Sequence, residues 1–299
     1  MTTTSTSSTT VDYGTAIRAT RIRPPTDPRT SLALWTRTAP HRDHPFSSVP
    51  VRSAPAGPSG RFVTGEGDEV VRTYRLPAEE TLAATALHGD SGSVDWLATY
   101  RDWGALLAAL HATDVDDTHR VEPPARTRLR DWWSRPDLGD ARRTAGRAAF
   151  LDGLSARARD HLDDVLGVDP SPDGVLVHGW AGVGHSVADP DGRLVVMVGE
   201  DVGHAPPEYD LGALTAQAVE LAVFSPAGRA PSPAEVRDEL LRGYAERGGR
   251  PVDDGRLADH TIEHVVRHVA DFTWFADYAD AELPRWSSLV DWLESNRAP

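Results

Sequence analysis

The chain has 299 residues, of which 39% are hydrophobic and 25% charged, a composition typical of a globular protein large enough for two packed lobes. Its formal net charge of −14 argues against a protein that grips a nucleic-acid backbone, so no nucleic-acid partner is expected. The absence of cysteine excludes disulfides, thiolate nucleophiles and thiolate metal sites.

Residues 1–12 (MTTTSTSSTTVD) form a Ser/Thr-rich polar stretch that we expect to be a disordered tail. The stretch lacks the apolar segment of a secretory signal. No run of about 18 apolar residues occurs in the chain, so neither a membrane span nor a membrane partner is expected. These features together predict a cytoplasmic location.

Residues 13–76 are expected to form a small, reduced β-rich N-terminal lobe. Frequent prolines leave only the stretch 29–39 (RTSLALWTRTA) long enough for a complete helix or strand. The stretch 61–76 (RFVTGEGDEVVRTYRL) alternates in polarity and predicts a hairpin whose turn contains Gly65 and Gly67.

Residues 77–299 are expected to form a connector and a mainly helical C-terminal lobe. In the segment 96–111 (WLATYRDWGALLAALH), apolar residues recur at i, i+3 and i+4, the pattern of an amphipathic helix. The segment 175–198 instead predicts a strand, a loop and a hairpin. Further helices are expected over residues 79–87, 129–133, 141–166, 211–223, 233–247, 256–278 and 286–296.

Two residue types that often serve phosphoryl-transfer sites are scarce in this sequence. All 31 basic residues are arginine, because the sequence contains no lysine, and Asn296 is its only asparagine. The codon usage of a GC-rich genome accounts for both depletions. A site that strictly requires lysine or asparagine still cannot be built from this chain.

Five motifs occur in an order that resembles one family of enzymes. They are LLAALH (106–111), HG (178–179), DPDGRL (189–194), PPEYDL (206–211) and LLRGYAERGGRP (240–251). Over about residues 96–280 this order resembles the aminoglycoside phosphotransferase and choline-kinase-like family. The resemblance implies an α+β, two-lobed, protein-kinase-like fold with a reduced β-rich N-lobe and a mainly helical C-lobe.

The resemblance also places the family's catalytic loop and metal-binding position on this chain. The loop aspartate that orients the acceptor hydroxyl falls at Trp180, whose indole has no basic lone pair. The asparagine that helps to hold Mg²⁺ falls at His185. The metal-binding aspartate falls at Gly199 when counted from the hairpin, or at Val198 when counted back from PPEYDL, and neither residue can ligate a metal through its side chain.

The remaining requirements of that chemistry fail as well. Glu200 and Asp201 lie one or two residues beyond the metal position, and side-chain alternation along a strand aims an offset residue the wrong way. With no lysine available, an arginine such as Arg61 or Arg72 would have to contact the phosphates, and its planar fork differs from a compact ammonium. The resemblance therefore identifies a degenerate member, a pseudokinase, with no expected catalytic residue, metal or cofactor.

Several retained residues are expected to build the fold. In the family the loop histidine packs and holds the loop, so His178 is predicted to be structural. Asp210 is predicted to cap a helix or to hold the loop backbone. Asp189 and Asp191 are predicted to form the hairpin turn.

The candidate ligand-binding residues of the cleft are Trp180, His185, Glu200, Asp201 and His204. His185 and His204 are expected to face the former active site, where with His178 they could bind Zn²⁺ or supply acid–base catalysis, or serve only as polar loop residues. Trp180 could fill the nucleotide cleft or offer a stacking platform.

Three further histidines recur at i+4 spacing in the stretch 259–272 (DHTIEHVVRHVADF), at His260, His264 and His268. They lie on one helical face, which could bind a metal at adjacent turns. The simpler interpretation is a polar face of a C-terminal helix.

The function expected from these features is that of a catalytically inactive, phosphotransferase-like binding or scaffold protein. By resemblance, its partner is a protein or peptide from the same bacterial natural-product pathway. Two alternatives remain open: an unorthodox enzyme that reuses the kinase cleft, either His-based or an atypical phosphotransferase, and a protein that binds a cationic antibiotic.

Overall fold

A computed structural model describes residues 11–15, 18–25, 32–39, 44–51, 55–57, 60–88, 94–114, 120–168, 174–224, 231–275 and 280–297. Its strands are β1 Val11–Thr15, β2 Arg18–Arg23, β3 Ala33–Thr38, β4 Gly60–Thr64, β5 Glu66–Gly67, β6 Val71–Leu76, β7 Val175–Val177, β8 Ser186–Ala188, β9 Leu194–Val198 and β10 Gly203–Ala205. Its α-helices are α1 Leu82–His88, α2 Trp96–His111, α3 Pro124–Ser134, α4 Ala141–Gly153, α5 Ala156–Gly167, α6 Glu208–Phe224, α7 Pro233–Glu246, α8 Asp254–Phe275 and α9 Leu283–Ser295.

The N-terminal lobe is an antiparallel sheet with strand order β1-β2-β3-β6-β5. Strand alternation divides its side chains between two faces. The buried face carries Ile22, Trp35 and Tyr74, which pack on the hairpin formed by β8 and β9. The expected disordered tail overlaps this sheet, because Val11 and Asp12 belong to β1; the rest of the tail lies outside the described residues.

The predicted hairpin over 61–76 is wrong in its pairing. Strand β4 does not pair with β6; it runs parallel to β9, with register from Gly60↔Leu194 to Thr64↔Val198. The true hairpin joins the two-residue β5 to β6, and the Asp68 carboxylate accepts the backbone N–H groups of Val70 and Val71 in its turn. The alternation that predicted strands here was correct, but alternation carries no information about the partner strand.

Strand β4 and the segment before it join the two lobes. The backbone N–H of Ser47 donates to Glu200 O at 2.7 Å, and Ser47 Oγ donates to Val202 O at 2.5 Å. Phe62, on β4, packs edge-on against Trp103 of α2 at 6.4 Å between ring centroids. The N-terminal lobe is therefore bound to the C-terminal lobe by a five-residue strand ladder as well as by the connector.

The C-terminal lobe is mainly helical, as predicted, and three of its helices begin at residues whose side chains cap them. Asp95, Asp140 and Ser155 cap α2, α4 and α5 by accepting a backbone N–H of the first turn. The helix expected over 141–166 is two helices, because the chain leaves helical geometry at Leu154 and Ser155 starts α5. No helix among the described residues is long and apolar enough to cross a bilayer.

Helices α2 and α7 pack at close range because glycines face each other across the contact. A Cβ added at Gly104 would lie 2.0 Å from Leu240 O, and one added at Gly243 would lie 2.0 Å from Arg101 O. The Gly-Tyr pair of the fifth motif therefore has a packing role: Gly243 admits α2, and Tyr244 is buried beside it.

Candidate functional site

Asp210, which is fully buried at the start of α6, holds the backbone of the loop after β7. Its carboxylate accepts the backbone N–H of His178 at 2.6 Å and that of Gly179 at 3.0 Å. His111, at the end of α2, lies 3.2 Å from the same carboxylate through Nε2 and 3.0 Å from the Tyr244 hydroxyl through Nδ1. The prediction that Asp210 holds the loop backbone is confirmed.

His178 is a structural residue of this loop, as predicted. Its Nε2 donates to Met197 O on β9 at 2.7 Å, and its Nδ1 accepts the backbone N–H of Trp180 at 3.3 Å. Since one ring nitrogen donates and the other accepts, the neutral Nε2–H tautomer satisfies both bonds. The ring also packs against Phe62 and Trp103.

Trp180, at the position where the resemblance places the loop aspartate, has a half-buried indole that lies among side chains of the C-terminal lobe. The guanidinium carbons of Arg267 and Arg128 lie 4.7 Å and 5.5 Å from its ring centroid, within range of cation–π attraction. The ring of His185 lies 5.8 Å away. Arg267 also donates to Gly179 O at 3.2 Å, so the residue that stacks on the indole also fixes the loop.

By the family resemblance the metal-binding aspartate falls at Gly199 or Val198, and at Gly199 two features disfavour a side chain. Its φ of +119° lies in the left-handed region that L-residues rarely adopt. A Cβ built there would also lie 2.5 Å from Arg72 Nη1. Arg72 is fixed in this position because its Nη2 donates to Ser47 O at 2.6 Å. A side chain at position 199 would therefore require the Arg72 guanidinium to shift from its bond with Ser47.

Glu200 is buried and already engaged by residues of the N-terminal lobe. Its carboxylate lies 3.2 Å from Arg37 Nε, accepts the Tyr74 hydroxyl at 3.0 Å, and lies 3.8 Å from His185 Nε2. Burial and the charge of Glu200 raise the pKa of Tyr74 well above its usual value, so Tyr74 stays a neutral donor. Sequence reasoning missed Arg37, although an arginine on the buried face of β3, in register with Trp35, was a usable signal.

Asp201 forms a second buried ion pair, with Arg128 of α3. The Oδ1–Nη2 distance is 3.0 Å, and both side chains are almost fully buried. Burial lowers the pKa of Arg128 from its usual value. The sequence alone does not predict the ion pair of Arg128 with Asp201, because the position of an arginine on a helix does not indicate a partner far away in the chain.

His204 does not face the cleft with the other candidates, contrary to expectation. It lies on β10, paired with Leu176 of β7, and lines a separate cavity together with His111 and Tyr244. The predicted grouping of His204 with His178 and His185 is therefore wrong. Among the described residues, no group of three or more histidine and carboxylate side chains is arranged to hold a metal ion.

The three histidines of α8 each have a separate partner. His260 lies 2.8 Å from Glu263, His264 donates to Tyr209 O at 2.7 Å, and His268 lies 2.8 Å from Glu220. The polar face of α8 thus points largely into the protein rather than to solvent. His264 and His268 bond to α6, and the three histidines do not converge on a common ligand site.

A cavity of about 60 Å³ lies beside Trp180. It is lined by Trp180, Ala181, Ala213, Ala216, Gln217, Glu220, His264, Arg267 and His268. Sites for drug-sized ligands measure roughly 300–1,000 Å³. The cavity beside Trp180 therefore has no room for a cationic antibiotic of ordinary size in this conformation.

Several solved structures resemble the whole chain, although no protein-family model and no curated protein matches it. The microcompartment-associated aminopropanol kinase is 18% identical with a TM-score of 0.57, over 98% of this chain and 93% of that chain. Choline kinase LicA from Streptococcus pneumoniae is 15% identical with a TM-score of 0.52, over 92% and 89%. Spectinomycin phosphotransferase is 12% identical with a TM-score of 0.52, over 97% and 92%.

At these identities the likeness is one of fold. The chain has the two-lobed, kinase-like α+β fold that choline kinases and aminoglycoside phosphotransferases share, and the fold expected from the five motifs is confirmed.

Proposed function

We propose that this chain, which has the fold of choline kinases and aminoglycoside phosphotransferases, does not transfer phosphate and acts as a binding or scaffold protein. The observation that carries the proposal is the pair Gly199 and Arg72. Phosphoryl transfer needs divalent cations, held by protein oxygen ligands, that bridge the phosphates. The family resemblance places such a ligand at Gly199 or Val198; neither side chain can ligate a metal, and a Cβ at Gly199 would lie 2.5 Å from Arg72 Nη1.

The neighbouring carboxylates support the same conclusion. Glu200 is paired with Arg37 and Asp201 with Arg128, and both pairs are buried. A metal ion could recruit either carboxylate only by breaking a buried ion pair and leaving an arginine uncompensated, which is strongly destabilising. The cleft is therefore expected to bind neither Mg²⁺ nor the ATP·Mg²⁺ complex.

The first hairpin of the N-terminal lobe supports the proposal independently. In kinases a glycine-rich loop between strands covers the ATP phosphates. Strands β1 and β2 and the two residues between them contain a single glycine, Gly14. The backbone at this hairpin thus lacks the repeated glycines that allow close approach to phosphates.

The proposed partner is a protein or peptide of the same biosynthetic pathway. The family resemblance suggests this partner, and the net charge of −14 favours a basic one. The loop framework and the β4–β9 ladder keep the helical lobe and the sheet in a fixed arrangement, which suits a surface that recognises another chain. Preorganised surfaces bind with a smaller loss of conformational entropy.

The proposal is tested by titrating the protein with ATP, with and without Mg²⁺, in thermal-shift and calorimetric assays. We expect no change in Tm, since only a ligand that binds the native state stabilises it. An active kinase of the same fold, titrated in parallel, is the positive control. A rise of several degrees with ATP·Mg²⁺, together with calorimetric binding, would overturn the proposal. Co-purification with proteins from neighbouring genes then tests the partner.

A second function is favoured by one observation, the approach of His185 to Glu200 at 3.8 Å inside the cleft. An imidazole beside a carboxylate can move protons, as a general acid or base does. Replacement His185→Gln separates the two functions. A variant that still binds its partner but abolishes formation of the pathway product would favour the enzyme, whereas unchanged product formation would favour the binding protein.

A further inference from the structure

The cavity of about 60 Å³ beside Trp180 receives two residues of α8, His264 and Arg267, in its lining. They lie one helical turn apart, so their side chains are neighbours on one face of α8. Both are deeply buried, with 2% and 6% of their surface exposed. One water molecule needs roughly 10–15 Å³ of such a space, so the cavity admits a few water molecules or one small polar group of a ligand.

His264 carries a hydrogen-bond acceptor that no described residue uses. Its Nε2 donates to Tyr209 O at 2.7 Å, so Nε2 holds the proton of the ring. Burial, with the charges of Arg267 and His260, lowers the pKa of His264 well below its usual value, and the ring therefore stays neutral. Nδ1 is then an acceptor, and it is buried without a hydrogen-bond partner in the part of the chain that the structure describes.

Arg267 carries a donor in the same situation. Its Nη1 donates to Gly179 O at 3.2 Å and its guanidinium stacks on Trp180, but its buried Nε–H meets no acceptor among the described residues. Buried polar atoms in folded proteins almost always have a partner, which is protein, water or a ligand. The two residues with an unused acceptor and an unused donor therefore line the same small cavity.

The other charged and amide side chains of the lining have partners within the protein. Glu220 lies 2.8 Å from His268 Nδ1, and Gln217 Oε1 accepts the backbone N–H of Val183 at 2.7 Å. Most of the remaining lining is alanine. Recognition of a ligand group in this cavity therefore falls to the unused atoms of His264 and Arg267.

These two atoms together select a group that both donates and accepts a hydrogen bond. An ammonium group could donate to His264 Nδ1, but it has no lone pair for Arg267 and would place two positive charges side by side. A carboxylate could accept from Arg267, but its lone pairs would face the lone pair of Nδ1. A hydroxyl or a primary carboxamide is neutral and satisfies both atoms, whereas leaving either atom buried and unpaired weakens binding.

We propose that this cavity binds the hydroxyl or carboxamide group of a small neutral ligand, which donates to His264 Nδ1 and accepts from Arg267 Nε. The site is independent of whether the chain transfers phosphate, because neither residue stands where the resemblance places the base or the metal ligands of the family. It gives a small-molecule site to a protein proposed above to bind another chain.

The first test compares four small probes by NMR titration of the isotope-labelled full chain. Acetamide donates and accepts, acetone has the same shape and only accepts, acetate is an anionic acceptor, and ethanol donates and accepts through one oxygen. We expect acetamide or ethanol to bind about tenfold or more tightly than acetone and acetate, since the latter two leave His264 Nδ1 unpaired. The tighter of the two distinguishes a carboxamide from a hydroxyl ligand.

The second test fills the cavity without removing a polar group. Ala216→Leu extends an apolar side chain from α6 into the cavity and should abolish binding of the preferred probe. The matched control is Ala148→Leu, at an exposed position of α4 that does not line the cavity, and it should leave affinity within about twofold.

Three results would overturn the proposal: no binding of acetamide or ethanol, binding of acetone or acetate as tight as theirs, or equal loss of binding in Ala148→Leu. The comparison of probes uses the native chain, so it decides the question even if Ala216→Leu does not fold.

Discussion

The residues that support the loop agree with the family resemblance, whereas the positions that face the cleft depart from it. Beneath the loop, Asp210 and His178 still hold the backbone with hydrogen bonds of 2.6–3.0 Å. Facing the cleft, Trp180, His185 and Gly199 lie where the resemblance places the family's reactive groups, and arginines lie beside Trp180 and Gly199. The difference teaches that the loop conformation depends on bonds to its backbone and not on the catalytic side chains.

The strongest test of this comparison is Asp210→Ala. It leaves two buried backbone N–H groups and His111 without their acceptor, and hydrogen bonds to a charged group are each worth about 1.5–3 kcal/mol. We expect a loss on the order of 5 kcal/mol in the free energy of unfolding, measured by urea titration. Asp191→Ala, at an exposed turn, is the control and should change stability by less than about 0.5 kcal/mol. A loss below about 1 kcal/mol for Asp210→Ala would show that the loop does not depend on this carboxylate.

The next test concerns the arginines that fill the cleft. Arg37→Met leaves Glu200 buried and uncompensated, so we expect a loss of about 3 kcal/mol in the free energy of unfolding. Arg75→Met, an exposed arginine on β6, is the matched control and should have little effect. The double variant Arg37→Met/Glu200→Gln should lose less than the sum of its single changes, because no charge is left buried. Strict additivity would mean that the two residues are not coupled.

A third test asks whether the metal position can be restored. Gly199→Asp places a side chain on left-handed backbone and against Arg72, so we expect a loss of about 2 kcal/mol and no gain of Mg²⁺ binding. Adding Arg72→Ala removes the contact with the guanidinium but leaves the backbone strain, and should recover part of the stability. Urea unfolding and Mg²⁺ calorimetry measure both effects. If Gly199→Asp were as stable as the native chain, Arg72 and the left-handed backbone would not hinder a side chain at position 199.

The smallest expected effect concerns the pH dependence of stability, through His264 of α8. Burial, with the charges of Arg267 and His260, holds the pKa of His264 well below its usual value. In the unfolded chain His264 takes up a proton as the pH falls below about 6.5, whereas the folded chain excludes it. Its contribution to stability is therefore complete above that pH and is lost on acidification, by about 1.4 kcal/mol between pH 7.5 and 5.5. Unfolding of His264→Gln at both pH values should show a correspondingly smaller difference, and an unchanged difference would exclude His264 as the cause.

Local patterns in the sequence predicted much of this molecule. The apolar spacing from Trp96 to His111 gave α2 with both ends correct, and the motif residues His178 and Asp210 were placed correctly under the loop. Such features depend on neighbours a few residues apart, or on motifs already tied to a fold. They are the parts of a structure that a single sequence encodes most directly.

The contacts that were missed all join residues far apart in the chain. Arg37 meets Glu200 across 163 positions of sequence, Arg72 reaches Gly199, and Arg128 reaches Asp201. Neither strand alternation nor helical spacing specifies such partners, because both patterns report only which face is buried. The same reason explains why β4 was assigned to its neighbour in sequence and why His204 was placed in the wrong cavity.

The parallel pairing of β4 with β9 has a consequence for how the protein avoids aggregation. Strand β9, with the sequence LVVMV, is entirely apolar and buried, and β4 covers one of its two edges. If β4 detached, five residues of uncharged, β-branched-rich backbone would present an open edge of the kind on which other chains add as strands. Strand β4 therefore protects this sheet edge, so a fragment that begins after residue 64 would expose an aggregation-prone strand even if all of its helices formed.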